Sequence, residues 1–328
     1  MGIQYTDTLR EMDFDQVTDL VVKNAAGRKN LERSGVEAAF SNSAYAVCAT
    51  DGGKTVGTGR ALSDHRAWTL ITDVAVLPEY REQGVADRLL EELIAHFKGQ
   101  ELFTWTKPEL IPLFETHGFR RSKNSFTYTG NARIPDPGLP EKEYFLPAGY
   151  RFESEYDSYA GPFPTAQKSR IRRETIQASF SETTDGIDFS RLNEILTLAF
   201  GGRERDEAVT RETFANSRYV EFVRDGSRLI GCARAESDGI AQGFVLNVAI
   251  DPAYQRLRLG WEIVNRLADQ MKGQNIFLNT HPGGVGFYNR QGFRRNKTAM
   301  LYPAHPDMPP EAAKGFMLPK GYRFADEM

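Results

Sequence analysis

The feature of this chain that most constrains its fold is an internal repeat. The segment PEYREQGVADRLLEELIAHFKGQELFTW, starting at Pro78, has an echo in PAYQRLRLGWEIVNRLADQMKGQNIFLN, starting at Pro252. Pro78 matches Pro252, Tyr80 matches Tyr254, and HGFRRSK from His117 matches QGFRRNK from Gln291, all 174 positions apart. TVGTGRA from Thr55 pairs with LIGCARA from Leu229, and LPAGYRF from Leu146 with LPKGYRF from Leu318. Solenoid repeats are several times shorter than this spacing, so the chain carries two copies of one domain. The expected boundaries are 1–155 and 174–328, with a linker over 156–173 that begins in the Gly- and Pro-rich run EYDSYAGPFPTAQKSR.

Each copy reads in the same order. The first opens with a strand at Ile3–Thr6 and helices over about 15–42. YAVCAT, DGG and TVGTGRAL then form a hairpin signal. A strand WTLITDVAVL follows, then a proline turn and a helix whose apolar stripe is Leu89, Leu90, Leu93, Ile94 and Phe97. ELFTWT is the next strand, so a right-handed crossover should set it parallel to WTLITDVAVL. A short helix and a final strand pair complete the copy. The second copy repeats this through YVEFVRDGSRLIGCARAE, GFVLNVAI, NIFLNT and GFRRNKTAMLYP. The expectation is an α/β (α+β) chain of two tandem domains. Each has a mixed, mostly antiparallel twisted sheet with a parallel central pair, flanked by helices. The two GYRF tails read as extended strands after a turn, each packing on a sheet, its own copy's or the other's.

A formal net charge of −3 over 328 residues argues against nucleic acid or an anionic membrane as the main partner. Only Cys48 and Cys232 occur, each in an apolar strand-like segment, as expected of buried thiols in a reducing compartment. Neither these nor the five scattered histidines have metal-ligand spacing, so no metal is expected. No apolar run is long enough for a membrane span, and the opening residues lack a signal-peptide core. A cytoplasmic location is the default expectation.

The loop Arg81-Glu82-Gln83-Gly84-Val85-Ala86 feeds the first turn of a helix. Unpaired N–H groups and the positive end of the helix dipole meet there, which suits a phosphate or pyrophosphate. Gly84 lets the backbone approach an anion closely, and Arg81 adds charge.

Val-Ala-Val-x-Pro-x-Tyr-Arg-x-x-Gly-x-Ala before an apolar helix resembles the acyl-CoA motif of the GNAT superfamily of N-acetyltransferases, whose signature is Arg/Gln-x-x-Gly-x-Gly/Ala. LFETHGF and GFYNRQGF resemble the family's closing motif, aromatic-Tyr-x-x-x-Gly-Phe. The resemblance spans nearly all of both copies apart from the linker and the tails. It implies a pyrophosphate held by Arg81, Glu82, Gln83, Gly84, Val85, Ala86 and Asp87. It implies a pantetheine arm laid along Val74 and Val76, and an oxyanion facing the Val74 amide. In the second copy the corresponding residues are Val248, Ile250, Gln255, Arg258 and Gly260, with Arg258 in place of the signature glycine. Acetyl-CoA is then the cosubstrate, a small-molecule amine the acceptor, and the two fused copies an intramolecular pseudo-dimer.

The copies differ. Tyr288 falls where many relatives keep a tyrosine near the thioester sulfur, and a phenol can protonate a departing thiolate. Phe114 holds that place in the first copy. Three accounts follow: the second copy is catalytic and the first holds acyl-CoA structurally or as a regulator, the first is catalytic without a tyrosine, or both work. Tyr288 inclines the reading to the second. Asp73 is the candidate base, although strand alternation points it away from Val74. His281, His65 and Asp64 are weaker candidates. The other readings are a non-catalytic acyl-CoA sensor or scaffold, and an acyltransferase that acts on a protein amine or takes its acyl group from a carrier protein.

Overall fold

The computed structural model describes residues 2–24, 31–128, 141–147, 150, 152, 171, 173–200, 205–304 and 316–327. The expected linker lies outside the described residues except at 171 and 173. The first half contains β1 (Gln4–Thr6), α1 (Phe14–Asn24), α2 (Arg33–Ser41), β2 (Tyr45–Asp51), β3 (Lys54–Ser63), β4 (Trp68–Val76), α3 (Val85–His96), β5 (Glu101–Trp105), α4 (Ile111–Thr116), β6 (Arg120–Arg121), β7 (Ser125–Tyr128) and α5 (Glu141–Tyr144). The second contains β8 (Ala178–Ser181), α6 (Phe189–Ala199), α7 (Glu207–Asn216), β9 (Tyr219–Asp225), β10 (Arg228–Ser237), β11 (Gln242–Ile250), α8 (Leu259–Gln270), β12 (Asn275–Asn279), α9 (Val285–Arg290), β13 (Arg294–Arg295) and β14 (Ala299–Tyr302).

Local chemistry explains most of these elements. Gly52 and Gly53, both at positive φ, close the β2–β3 hairpin as a primed turn requires. The stripe of α3 buries Leu89, Leu90 and Leu93 against β2, β3 and β4. As expected, β4 runs parallel to β5, and β11 to β12. Each half thus centres on a mixed sheet with helices on both faces. Among the described residues no helix is long and apolar enough to cross a membrane.

The closing strands depart from the expected order. The two seven-stranded sheets run β1-β2-β3-β4-β5-β14-β6 and β13-β7-β12-β11-β10-β9-β8. β14, from the second half, lies between β5 and β6, while β7, from the first, lies between β12 and β13. The final strand pair is therefore exchanged. Ser122-Lys123-Asn124, between β6 and β7, contains no glycine and no positive φ, so it does not form a tight hairpin. It carries the chain straight across to the other sheet. The two copies are alike enough that each sheet edge accepts the other's strand, the condition for swapping an element.

The tails lock this crossing. Phe145 bridges Asn296, and Met317 bridges Ser122, so each tail pairs with the crossing segment of the other half. Leu146 and Phe152 then meet Leu318 and Phe324 in one apolar cluster. Between the sheets, Phe103 stacks on Phe244 with ring centres 4.9 Å apart, inside a core that also takes Trp105, Phe277, Leu246 and Leu301.

Candidate functional site

The second half holds a large cleft. β11 pairs with β12 only from Gln242 to Val245, after which the strands diverge. Divergence coincides with a β-bulge: the register with β10 shifts between Cys232 and Arg234, and Asn247 sits at φ 53°. A bulge re-aims the strand and ends its pairing. The cavity beside it measures about 1620 Å³ and is lined by Leu246, Asn247 and Val248 among others. Single ligand sites usually occupy about 300–1,000 Å³, so this one has room for two molecules side by side.

One wall of the cavity is the loop before α8. Arg258 caps that helix at φ 63°, the left-handed conformation that Gly84 adopts at φ 71° before α3. A non-glycine residue there costs roughly 1–2 kcal/mol. Arg256, in the same loop, and Arg290, at the end of α9, also line the cavity and, like Arg258, are exposed. In the first half their counterparts are Glu82, Gly84 and Thr116. Three exposed guanidinium groups line the cavity that the α8 N-terminus borders, chemistry that suits an anion; the sequence reading took Arg258 into account but not Arg256 or Arg290.

The opposite wall is shared by both halves. Leu196, Phe200, Thr210 and Phe214 come from α6, α7 and their connection, while Trp68 and Glu101 come from the starts of β4 and β5. Leu301, on exchanged β14, and Phe316, in the second tail, close it. Sequence reading missed these residues because their approach depends on how the two halves pack, and Leu301 on the strand exchange as well.

Tyr288 lines the cavity, its ring packed on Phe126, Phe287 and Phe293. Burial pushes its phenol well above the ordinary tyrosine range, so it stays protonated as a hydrogen-bond donor while being a weaker acid than a free tyrosine. His281 also lines the cavity. Its Nδ1 accepts the Gly283 amide at 3.1 Å, and burial lowers its pKa. The ring is therefore neutral, with its proton on Nε2 and its lone pair committed.

The equivalent place in the first half has the same backbone but no room. β4 leaves β5 after Ile71, and Asp73 sits at φ 52° in a matching bulge. The remaining space is about 20 Å³, enough for about one water. Trp105 stands where the second half has Asn279, Leu110 where it has Gly284, and Phe114 where it has Tyr288. Val74 and Val76 are buried, whereas Val248 is half-exposed to its cleft. Arg81, Glu82, Gln83 and Gly84 remain on the surface, while Val85 and Ala86 turn into the core. Asp73 does not stand as a free carboxylate: its Oδ2 accepts the Arg60 Nε–H at 2.5 Å, both side chains being buried. Of the loop and strand residues expected to hold a cofactor, the set beside an open cleft is Val248, Ile250, Gln255, Arg258 and Gly260.

One further titratable group was not singled out from sequence. Glu236, buried on β10, accepts from Ser217 Oγ at 2.7 Å and from Arg234 Nη1 at 3.0 Å. Burial pushes its carboxyl up to about 7 against the lowering effect of Arg234.

Comparison with known proteins agrees with the repeat. A pattern described as "Acetyltransferase (GNAT) domain" matches residues 41–121, and one described as "Acetyltransferase (GNAT) family" matches residues 189–293. Together they take in more than half of the chain, and both stop within three residues of where the chain crosses between sheets. Serotonin N-acetyltransferase 2, chloroplastic, from Oryza sativa subsp. japonica is 31% identical over 125 residues, 36% of this chain and 62% of that protein. GCN5-related N-acetyltransferase 1, chloroplastic, from Arabidopsis thaliana is 32% identical over 117 residues, 34% of this chain and 58% of that protein. The chain thus spans about three fifths of the length of these curated relatives. Among solved structures, a GCN5-related glucosamine N-acetyltransferase region of a fungal multi-domain GH3 beta-N-acetylglucosaminidase is similar in fold, with TM-score 0.50 and 14% identity, over 92% of this chain and 38% of that one.

Proposed function

We propose that this chain, which belongs to the GNAT superfamily of N-acetyltransferases as a member with two tandem domains, moves an acetyl group from acetyl-CoA to the amine of a small molecule, and does so in its second half. The observation that carries this is the contrast of the two clefts. One is about 1620 Å³, rimmed by Arg256, Arg258 and Arg290; the other is about 20 Å³ and plugged by Trp105 and Leu110. In this reading the first half is a structural partner that has kept the loop and lost the cleft.

The chemistry follows from the groups at hand. The three arginines and the α8 N-terminus hold the phosphates of the cosubstrate. The unpaired edge of β11 beyond Val245 takes the pantetheine arm as an added strand. The amine nitrogen attacks the thioester carbon, and charge gathers on the carbonyl oxygen, where the Val248 amide, counterpart of Val74, is the donor. Collapse breaks the C–S bond. Tyr288, held protonated, hydrogen-bonds to the departing sulfur, and as it passes its proton to the thiolate it regains the one the amine loses, relayed through water. Asp73 has no part here, being engaged by Arg60 on the closed side. The shared wall, which includes Trp68, Phe200, Phe214 and Leu301, favours an amine with an apolar body.

Calorimetric titration with acetyl-CoA tests the reading, together with thiol release in the presence of serotonin, the substrate named for the rice relative, spermidine or glucosamine. One site per chain is expected. Arg256→Ala with Arg258→Ala should weaken it on the order of a hundredfold, since bonds to charged groups contribute about 1.5–3 kcal/mol each. Arg81→Ala should leave affinity within about twofold. Two sites per chain, or sensitivity to Arg81 alone, overturns the assignment. Binding without thiol release under any amine makes the protein an acyl-CoA sensor.

A further inference from the structure

Across the seam between the halves, two buried arginines hold the two strand bulges, and each is gripped by an aspartate of the other half. Asp64 lies in the turn between β3 and β4, and Asp238 in the matching turn between β10 and β11. One oxygen of each is committed to its own turn. Asp64 Oδ1 accepts the amides of Arg66, Ala67 and Trp68 at 2.7–3.0 Å. Asp238 Oδ1 accepts those of Ile240, Ala241 and Gln242 at 2.8–2.9 Å. The other oxygen reaches across. Asp64 Oδ2 accepts from Arg234 Nη2 at 2.6 Å, and Asp238 Oδ2 from Arg60 Nη2 at 2.7 Å. All four side chains are fully or almost fully buried.

Each arginine passes this constraint to a bulge. Arg234 Nε donates to Asn247 Oδ1 at 2.6 Å, and Arg60 Nε to Asp73 Oδ2 at 2.5 Å. Asn247 and Asp73 both occupy the left-handed region, where a non-glycine residue persists only if its surroundings hold it. Arg234 is itself tied down by Ser217 Oγ and Glu236 Oε1, each 3.0 Å from Nη1. A planar guanidinium with Nε, Nη1 and Nη2 all engaged has one orientation available to it. The two devices are alike in burial and in the aspartate that reaches across, and differ in that Arg60 Nε meets the carboxylate of Asp73 where Arg234 Nε meets the amide of Asn247. Only the one running through Arg234 ends beside an open cleft.

We propose that Asp64, contributed by the first half, is a positioning residue for acetyl transfer in the second: through Arg234 it holds Asn247, and so the aim of the Val248 amide at the thioester oxygen. This rests on the assignment of chemistry to the second half. It gives the closed half a task that its sealed cleft does not, which is to complete the active site of its neighbour. The sequence holds the clue in two aspartates 174 positions apart, but their partners lie 170 and 178 residues away in the chain.

The internal symmetry supplies the control. Asp64→Asn and Asp238→Asn each keep Oδ1 for the turn and place a neutral amide against a buried guanidinium. Both should lower the melting temperature to a similar extent. Single-turnover thiol release from saturating acetyl-CoA, with whichever amine of the panel is fastest, should fall about ten- to a hundredfold in Asp64→Asn, since small misplacements at a reacting centre reach this size. The KM for acetyl-CoA should stay within about twofold. Asp238→Asn should keep its rate within about twofold. An equal fall in both variants, or an undiminished rate in folded Asp64→Asn, overturns the proposal. If Asp64→Asn does not fold, Asn247→Gly decides: glycine accepts the same φ without the anchor, so the rate should fall, and an unchanged rate refutes the relay. Absence of thiol release in the unmodified protein is a separate outcome, and it removes the reading beneath.

Discussion

Exchange of the closing strands makes an unusual demand on stability: a residue encoded in one half should hold up the other. Met300, on β14, is fully buried in the core of the first sheet, among Val74, Leu89, Leu93 and Phe119, and pairs with Thr104 and Arg121. Phe126, on β7, is fully buried in the second core with Leu278 and Tyr288, pairing with Leu278 and Arg295. Truncating a buried Met to Ala costs about 2–5 kcal/mol, and Phe to Ala about 3–5 kcal/mol. For units of this size each kcal/mol lowers the melting temperature by about 2–4 °C. A loss near 3 kcal/mol therefore lowers it by roughly 6–12 °C in either variant. The decisive readout is where the loss appears. Hydrogen exchange by mass spectrometry should show Met300→Ala loosening β4, β5 and α3 more than β11, β12 and α8, and Phe126→Ala doing the reverse. If Met300→Ala loosens chiefly residues 174–304, each half closes its own sheet and the exchange is wrong.

Two further outcomes are expected. Tyr288→Phe keeps the ring packed on Phe126, Phe287 and Phe293 but removes the donor, so the single-turnover rate should fall about a hundredfold with the KM for acetyl-CoA little changed; an unaltered rate would leave thiolate protonation to water. Glu236, with its carboxyl raised to about 7 by burial, contributes stability that is fully present below its unfolded pKa of about 4.5 and is lost as pH rises through about 7. Unfolding free energies from urea titrations at pH 5 and pH 8 should therefore differ by roughly 2–3 kcal/mol, and Glu236→Gln should abolish the difference; an equal difference in that variant assigns it to other groups.

Much of the architecture was legible because it is written locally. The 3.6-residue stripe of α3, the glycine pair closing β2–β3 and the loop before each long helix depend on neighbours in sequence, and all appear where periodicity and turn chemistry place them. The difference between Tyr288 and Phe114 was likewise visible from alignment of the two copies. Less visible was the meaning of Arg258. Read as a residue, it replaces a signature glycine; in the fold it keeps the glycine's backbone conformation and joins Arg256 and Arg290 around the cleft. Asp73, read as a base beside a strand, belongs to a buried ion pair whose other member lies 13 residues back.

By itself, the sequence determined that there are two copies, what elements each contains, and where a loop feeds the N-terminus of each long helix, since period, turns and caps are properties of short stretches. Only the tertiary structure decided which sheet each last strand joins, which cleft stays open, and that Asp64 reaches Arg234. Two like sheet edges offer a strand equivalent partners, so its choice rests on chain path and seam packing. Likewise, whether Trp105 and Leu110 fill a cleft depends on what surrounds them, and no local pattern encodes the space left over.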